Sequence, residues 1–359
     1  MSQRVRNDLI QLLCRICETP APTFAESARA SLIQDLLRDL GVDSRQDEVG
    51  NVIAELPGGT GERVVLAAHL DTVFDEDTPI QVKRIGNTLN APGIGDNSAS
   101  LAVLLAFVRE VLEQDLPRPQ LTIVATVGEE GLGNLRGARH LVETYPMDAF
   151  VAVDGYLGVI INRSVGSIRY KVTFQGPGGH SWGDFPSPSA THALASAVHT
   201  LGELSFSHEP RWSWNVGLIE GGTSINTIAE TAAFYLDLRS IDATRLEQLD
   251  SKAKQHINHA AQQHDVTLEA DLLGARPCAS VANQTLVHAA QSALSSVRVP
   301  PHLAASSTDA NVAMAAGIPA ITLGVYKGGH AHRLSEWVDP ASLPVGVDLL
   351  KAFVTALVK

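Results

Sequence analysis

The stretch VVLAAHLDTVF, residues 64–74, decides how the rest of the chain is read, because an apolar run passes without a break into a histidine and an aspartate. Val64, Val65, Leu66 and Ala67 have the length and apolar character of a strand buried on both faces, as in a parallel or mixed sheet. His69 and Asp71 lie two residues apart, which on extended backbone points both side chains the same way. A carboxylate beside an imidazole suits a metal site, since it fixes the ring's tautomer and raises its basicity. The same pair also fits a core histidine satisfied by its neighbour. The stretches on either side have to decide.

Upstream, helical spacing of apolar residues over 5–18 is stopped by Thr19, Pro20 and Pro22, and a second helix over 25–40 is closed by Gly41. A strand over 51–56 and a turn at 57–61 then predict a hairpin with the 64–69 strand. Downstream, APGIGDNSASLAVLLAFVREVL, residues 91–112, brings Asp96 to the mouth of a long helix, where by itself it reads as an N-cap. Buried strands over 121–127 and 149–153 run into Glu129 and Glu130 and into Asp154, with a helix over 134–143 between them. Each of these acids is an ordinary loop residue alone. Together with His69 they fall at strand C-termini or a helix entrance, the edge where open α/β sheets bind ligands.

At residue 166 the pattern changes. An alternating strand SIRYKVTFQG, the loop GPGGHSWGDFPSPS, a helix to about residue 204, two strands, a helix over 243–263 and a last strand give the order β-α-β-β-α-β. That is a ferredoxin-like α+β sandwich. The α/β pattern then resumes with a helix over 283–297, a short helix after STDAN, a strand over 320–325, the loop GGHAHRLSEWV and a final helix over 340–358. The expected organisation is an α/β catalytic domain of residues 1–165 and 275–359, a mixed sheet flanked by helices, interrupted by an inserted domain of residues 166–274.

Composition narrows the function classes. Two domains suit 359 residues. A net charge of −12 disfavours nucleic acid and anionic membrane as partners. No apolar run approaches the roughly 20 residues of a membrane span. The start MSQRVRNDLIQLLCRICETP lacks the apolar core of a signal peptide, and three cysteines are too few for a disulfide framework, so a cytoplasmic location is expected. Cys14 and Cys17 read as small apolar residues of the first helix, since a zinc ribbon needs a second pair. A Rossmann-type nucleotide site is excluded, because no strand is followed by G-x-G-x-x-G.

Two histidines and three carboxylates suit a pair of zinc ions sharing one bridging carboxylate, with one glutamate left over as a base. With HLDT, GIGDN, GEEGLG, VDG and a late histidine four residues before Glu336 and Trp337, nearly the whole chain resembles the two-zinc metallopeptidases that include aminoacylase, carboxypeptidase G, succinyl-diaminopimelate desuccinylase and peptidase T. The resemblance implies a zinc-peptidase fold with an inserted lid and dimerisation domain. It implies His69, Asp96 and Asp154 on one metal and Asp96, Glu130 and His332 on the other, with Asp71 orienting His69 and Glu129 as general base. His332 is preferred over His330 on the spacing to Glu336. It further implies that His180 serves a partner subunit's site, that Asn226 and Arg239 hold substrate, and that a cis peptide follows Asp96. Many members carry Lys-Gly or Lys-Ala after that aspartate, whereas Asn97, Ser98 and Ala99 stand here.

The function expected is hydrolysis of a small peptide or amino-acid amide by a homodimer joined through residues 166–274, with manganese or cobalt able to replace zinc. The aspartate at 154, where many deacylases and carboxypeptidases carry glutamate, points to peptidase T-like members and a free amino terminus. The alternatives are an N-acyl amino acid deacylase or carboxypeptidase of the same family, and a catalytically silent metabolite-binding homologue.

Overall fold

The structure, a computed structural model, describes residues 3–114 and 116–358. The chain divides into two compact units, Met1–Ser164 with Ser280–Lys359, and Val165–Ala279.

The first unit is built on an eight-stranded mixed sheet in the order Arg45–Gln46, Val52–Glu55, Gln120–Thr126, Arg63–His69, Ala149–Val153, Ala320–Leu323, Val159–Ser164, His302–Ser306. Arg63–His69 lies inside it, parallel to Gln120–Thr126 on one side and to Ala149–Val153 on the other. Both edges of this strand are therefore taken, and every residue from Val64 to His69 is buried. Burial of side chains such as Val65 and Leu66 stabilises the fold by about 1.5–3 kcal/mol each. The helix Ser100–Glu113 is buried on nearly all sides, from Ser100 through Val108 and at Val111. Its run of apolar residues leaves no polar face, so it belongs inside.

The expected hairpin does not form. Val52–Glu55 pairs antiparallel with Gln120–Thr126, which separates it from Arg63–His69. The reason is that the most apolar strand takes parallel partners on both edges, and local connection cannot compete. Three strands of this sheet were not legible: Arg45–Gln46 is only two residues long, Val159–Ser164 reads VIINRS, half polar, and His302–Ser306 reads HLAAS, without β-branched residues. The last two pair with each other in parallel at the sheet's edge. A small antiparallel sheet of Gly328–Gly329, Trp337–Val338, Thr88–Asn90 and Lys83–Ile85 fixes the loop that holds His330 and His332.

In the second unit four antiparallel strands are ordered Trp212–Gly221, Thr231–Ser240, Gly166–Gln175, Thr267–Arg276, with helices Ala190–Leu201 and Ala243–Gln263. Tyr170, Val172 and Phe174 alternate inward with Phe234, Leu236 and Leu238 and pack with Ala193, Leu249 and Ile257 of the helices. Asp242 caps the longer helix, accepting from the Arg245 N–H at 2.7 Å, a contact worth about 1 kcal/mol. The last strand runs to Arg276 because it stays paired with Ser167, two residues beyond the expected edge at 274. Among the described residues no helix is long and apolar enough to cross a membrane.

Candidate metal centre

His69, Asp71, Glu129, Glu130 and Asp154 lie at or just past strand ends of the large sheet, whereas Asp96 sits in the turn before the helix Ser100–Glu113 and His332 in the loop before Trp337–Val338. His69 is the last residue of its strand and only 2% exposed. Its Nδ1 lies 3.0 Å from the Asp71 carbonyl oxygen and its Nε2 2.9 Å from Asp96 Oδ1. An Nδ1–H donated to that carbonyl leaves Nε2 as the ligating nitrogen. The Asp71 carboxylate is farther from the ring, at 3.5 Å, so the carbonyl orients His69 more closely than the carboxylate does.

The Asp71 carboxylate has a wider task. Fully buried, it accepts from the backbone N–H of Glu129 through Oδ1 and of Glu130 through Oδ2, both at 2.9 Å. It thereby ties the turn after one strand to the turn after its neighbour. Burial pushes its carboxyl up, but the His69 ring, the Glu130 N–H and Thr23 more than offset this and hold it below the usual carboxylate range.

The GEEGLG turn needs its glycines. Gly128 has φ +65°, and a Cβ on Gly133 would stand 2.6 Å from the Gly128 Cα, so the turn closes on its own backbone. That closure sets two adjacent glutamates side by side, each about 6% exposed. In the GIGDN turn, Glu336 is the counterpart: its carboxylate accepts from the N–H groups of Gly93 at 2.8 Å, Gly95 at 3.0 Å and Asp96 at 2.8 Å. A Cβ on Gly95 would meet that carboxylate at 2.7 Å. Spacing singled out Glu336 only as a landmark; its hold on the Asp96 turn is visible in the folded chain alone. Asn97 and Ser98 also serve this turn, Asn97 Nδ2 donating to the Val153 carbonyl at 3.1 Å and Ser98 Oγ to the Gly93 carbonyl at 2.6 Å. The Asp96–Asn97 peptide is cis.

Asp96 does not act as an N-cap. It sits with non-helical φ and ψ, and its two oxygens face different imidazoles, Oδ1 toward His69 and Oδ2 toward His332 at 3.1 Å. His332 also lies 3.0 Å from Glu130 Oε1, whereas His330 pairs with Ser335 at 3.1 Å within its own loop. Among the described residues, ligand atoms within 4.8 Å of one another form three groups: His69, Asp96 and Asp154; Asp96, Glu130 and His332; and His69, Glu129 and Glu130. The first two share Asp96.

The electrostatics fit a cation. Burial and the charge of Asp96 push the Asp154 carboxyl up to about 7. Hydrogen bonds to Asp96 and Glu130 push His332 up to about 10. Burial raises the Asp96 carboxyl, but hydrogen bonds from His332 and His69 outweigh that and hold it far below the ordinary range. Carboxylates crowded until one must keep its proton, beside imidazoles drawn toward the charged form, constitute a site short of positive charge. Two dications would relieve both, with His69, Asp96 and Asp154 able to hold one and Asp96, Glu130 and His332 the other.

The remaining predicted residues lie in the second unit. His180 is exposed; its Nδ1 accepts from the N–H groups of Trp182 and Gly183, each at 3.2 Å, which leaves Nε2 as the N–H donor. Asn226 is exposed, and its side-chain oxygen accepts from Ser224 Oγ at 3.0 Å. Arg239 is half-buried and donates from Nε to Asp237 Oδ2 at 2.7 Å.

Two three-donor groups joined by one aspartate beside the large mixed sheet are arranged as a site for cations. The chain belongs to peptidase family M20/M25/M40, whose sequence pattern matches residues 65–356. Its fold is that of aminopeptidase PepT from Bacillus cereus, with a TM-score of 0.81 at 22% identity over 99% of both chains. It is also that of YXEP from Bacillus subtilis, a dinuclear metal-binding peptidase of the family, with a TM-score of 0.72 at 16% identity over 99% of this chain and 98% of that one. By sequence it is 29% identical to the succinyl-diaminopimelate desuccinylase of Corynebacterium glutamicum, over 65% of this chain and 66% of the other. The chain is thus an enzyme of that peptidase and amidohydrolase family, with two candidate metal-ligand groups that share Asp96.

Proposed function

We propose that this protein is a two-zinc aminopeptidase or dipeptidase that cleaves short peptides from a free amino terminus. The observation that carries the reading is the pair of donor groups sharing Asp96, completed on one side by the short carboxylate of Asp154. The free amino terminus is inferred from the family resemblance, in which aspartate rather than glutamate at this position marks the peptidase T-like members. The likeness of fold to PepT over the full length supports the same reading.

When bound, a pair of dications polarises the scissile carbonyl and lowers the pKa of a water to about 7. Glu129 takes the proton of the attacking water and delivers it to the leaving amine. Asp71 holds the Glu129 and Glu130 backbone while that transfer occurs. His180, its Nε2–H left free by the loop's hold on Nδ1, donates to the developing oxyanion of a partner subunit's site, and Asn226 and Arg239 bind the substrate's polar ends. The homodimer joins through residues 166–274, where Trp212–Gly221 and Thr267–Arg276 are the outer strands of their sheet. The three free cysteines suit a cytoplasmic setting.

A second reading, deacylation of an N-acyl amino acid, is favoured by the 29% identity to the desuccinylase. A panel of free di- and tripeptides against N-acetyl and N-succinyl amino acids separates the two. Turnover of the peptides with little on the acylated substrates is expected. The reverse would move the protein to the deacylases.

A further inference from the structure

Residues 19–29 stand outside the 65–356 match, and their sequence shows only a stop between two helices and the start of the second. In the folded chain they lace together the two turns that carry His69, Asp71, Glu129 and Glu130. Thr23 Oγ1 donates to Asp71 Oδ2 at 2.9 Å. Glu26, 4% exposed, accepts from the Gly128 N–H through Oε1 at 3.1 Å, and its Oε2 pairs with Arg136 at 2.6 Å. Arg29, fully buried, donates from Nη1 to the Leu70 carbonyl at 2.8 Å and from Nε to the Thr19 carbonyl at 2.9 Å. The Thr72 N–H completes the seam by donating to the Ala21 carbonyl at 2.9 Å.

Stability alone is a poor account of this seam. Replacing buried ionic groups by well-packed apolar ones is often neutral or stabilising, yet Glu26 and Arg29 are both buried here. Phe24, between Thr23 and Glu26, holds φ at +76° and leaves its ring 64% exposed over the Arg136 guanidinium, a backbone region that bulky residues seldom enter. Two of these contacts lead to the turn of the proposed base, Glu26 through Gly128 and Thr23 through Asp71, while Arg29 and the Thr72 N–H fix the residues on either side of Asp71.

We propose that Thr23 and Glu26 are positioning residues for the hydrolysis, Thr23 acting through Asp71 and Glu26 through Gly128 to hold Glu129 in line, with Arg29 anchoring the seam to Leu70. Asp71 Oδ2 takes both the Thr23 O–H and the Glu130 N–H. Without the hydroxyl the carboxylate is free to turn, and the two N–H groups that locate the glutamates lose a fixed acceptor. A shift of about 1 Å in a reacting group costs on the order of 100-fold in rate. The inference rests on the reading of Glu129 as base.

The test uses the full-length, metal-loaded protein and a free tripeptide. Thr23→Val and Glu26→Leu are expected to lower kcat about 10- to 100-fold, with KM within about twofold and metal stoichiometry unchanged. Thr23→Ser, which keeps the hydroxyl, is expected to restore kcat. Because the route runs through Glu129, Thr23→Val added to Glu129→Gln should cost nothing further. Unchanged kcat in both single variants, or a full additional loss in the double variant, overturns the positioning role. If Glu26→Leu fails to fold, Thr23→Val against Thr23→Ser decides alone. A Glu129→Gln chain that keeps its activity overturns the base assignment instead, which separates the two failures.

Discussion

His69 and His180 are held in opposite ways. The first is buried at a strand end, and its ring contacts Asp71 and Asp96 on two separate turns, which Glu336 and the 19–29 seam fix in turn. The second is exposed, and its Nδ1 is gripped by the N–H groups of Trp182 and Gly183 in its own loop. One orientation therefore depends on packing across the whole first unit, the other on four consecutive residues. A centre of the first kind is stiff and sensitive to distant changes. A donor of the second kind keeps its tautomer whatever happens elsewhere, and its usefulness depends on where the loop is presented.

The sharpest way to break this contrast is to change the two adjacent glutamates of the buried centre. Glu129→Gln should lower kcat about 100- to 10,000-fold while metal content and Tm stay near those of the parent. Glu130→Gln should instead lose metal, read by elemental analysis after gel filtration. A reversal of these two outcomes would exchange base and ligand.

His180→Ala should cost about 100- to 1,000-fold in kcat, the scale of a lost oxyanion donor, with both metals retained. Mixing His180→Ala with Glu129→Gln chains should then restore activity, since each mixed dimer has one site with both residues intact. Proven subunit exchange without recovery would leave His180 serving its own chain or nothing.

Packing can be broken on the other side of the comparison. Phe234→Ala, at the centre of the second unit's core, should destabilise that unit by about 3–5 kcal/mol, measured by denaturant unfolding. Metal binding by the first unit should survive, because the proposed ligands all lie there. Loss of metal in this variant would show that the centre depends on the second unit for its geometry.

The smallest expected effect is on pH dependence. In metal-free protein Asp154 is raised to about 7 and His332 to about 10, each above its unfolded value. A group of that kind contributes stability that is complete below its unfolded pKa and is lost as pH rises through its folded one. Thermal unfolding of chelated protein should therefore show Tm falling as pH rises through about 7 toward 10. The metal-loaded protein should not follow, since ligation requires both groups deprotonated. Parallel curves for the two forms would separate these residues from the metals.

Much of the first unit was legible because its strands are continuous apolar runs ending in acids or histidine. Val64–Ala68, Leu121–Val127 and Ala149–Val153 announce buried strands by character alone; His69 and Asp154 follow directly, and Glu129 and Glu130 follow after Gly128. The pairing of those strands was not legible, as the absent hairpin shows, since sequence adjacency says little when both edges of a central strand are claimed by parallel neighbours. Thr23, Glu26 and Arg29 gave no signal, because a threonine before a helix and a glutamate and an arginine at its start have many ordinary uses.

By itself the sequence determined the kinds of element and a short list of candidate donors, because periodicity and strand ends are local properties of the chain, whereas the preference for His332 over His330 came with the family resemblance. Tertiary structure alone decided that Asp96 faces two imidazoles, that Asp71 joins two turns and that Glu336 reaches back 240 positions to the Asp96 N–H. Those are contacts between segments far apart in sequence. They exist only once the sheet order has brought the strand ends together, and that order is settled by burial of whole strands rather than by any residue at the site.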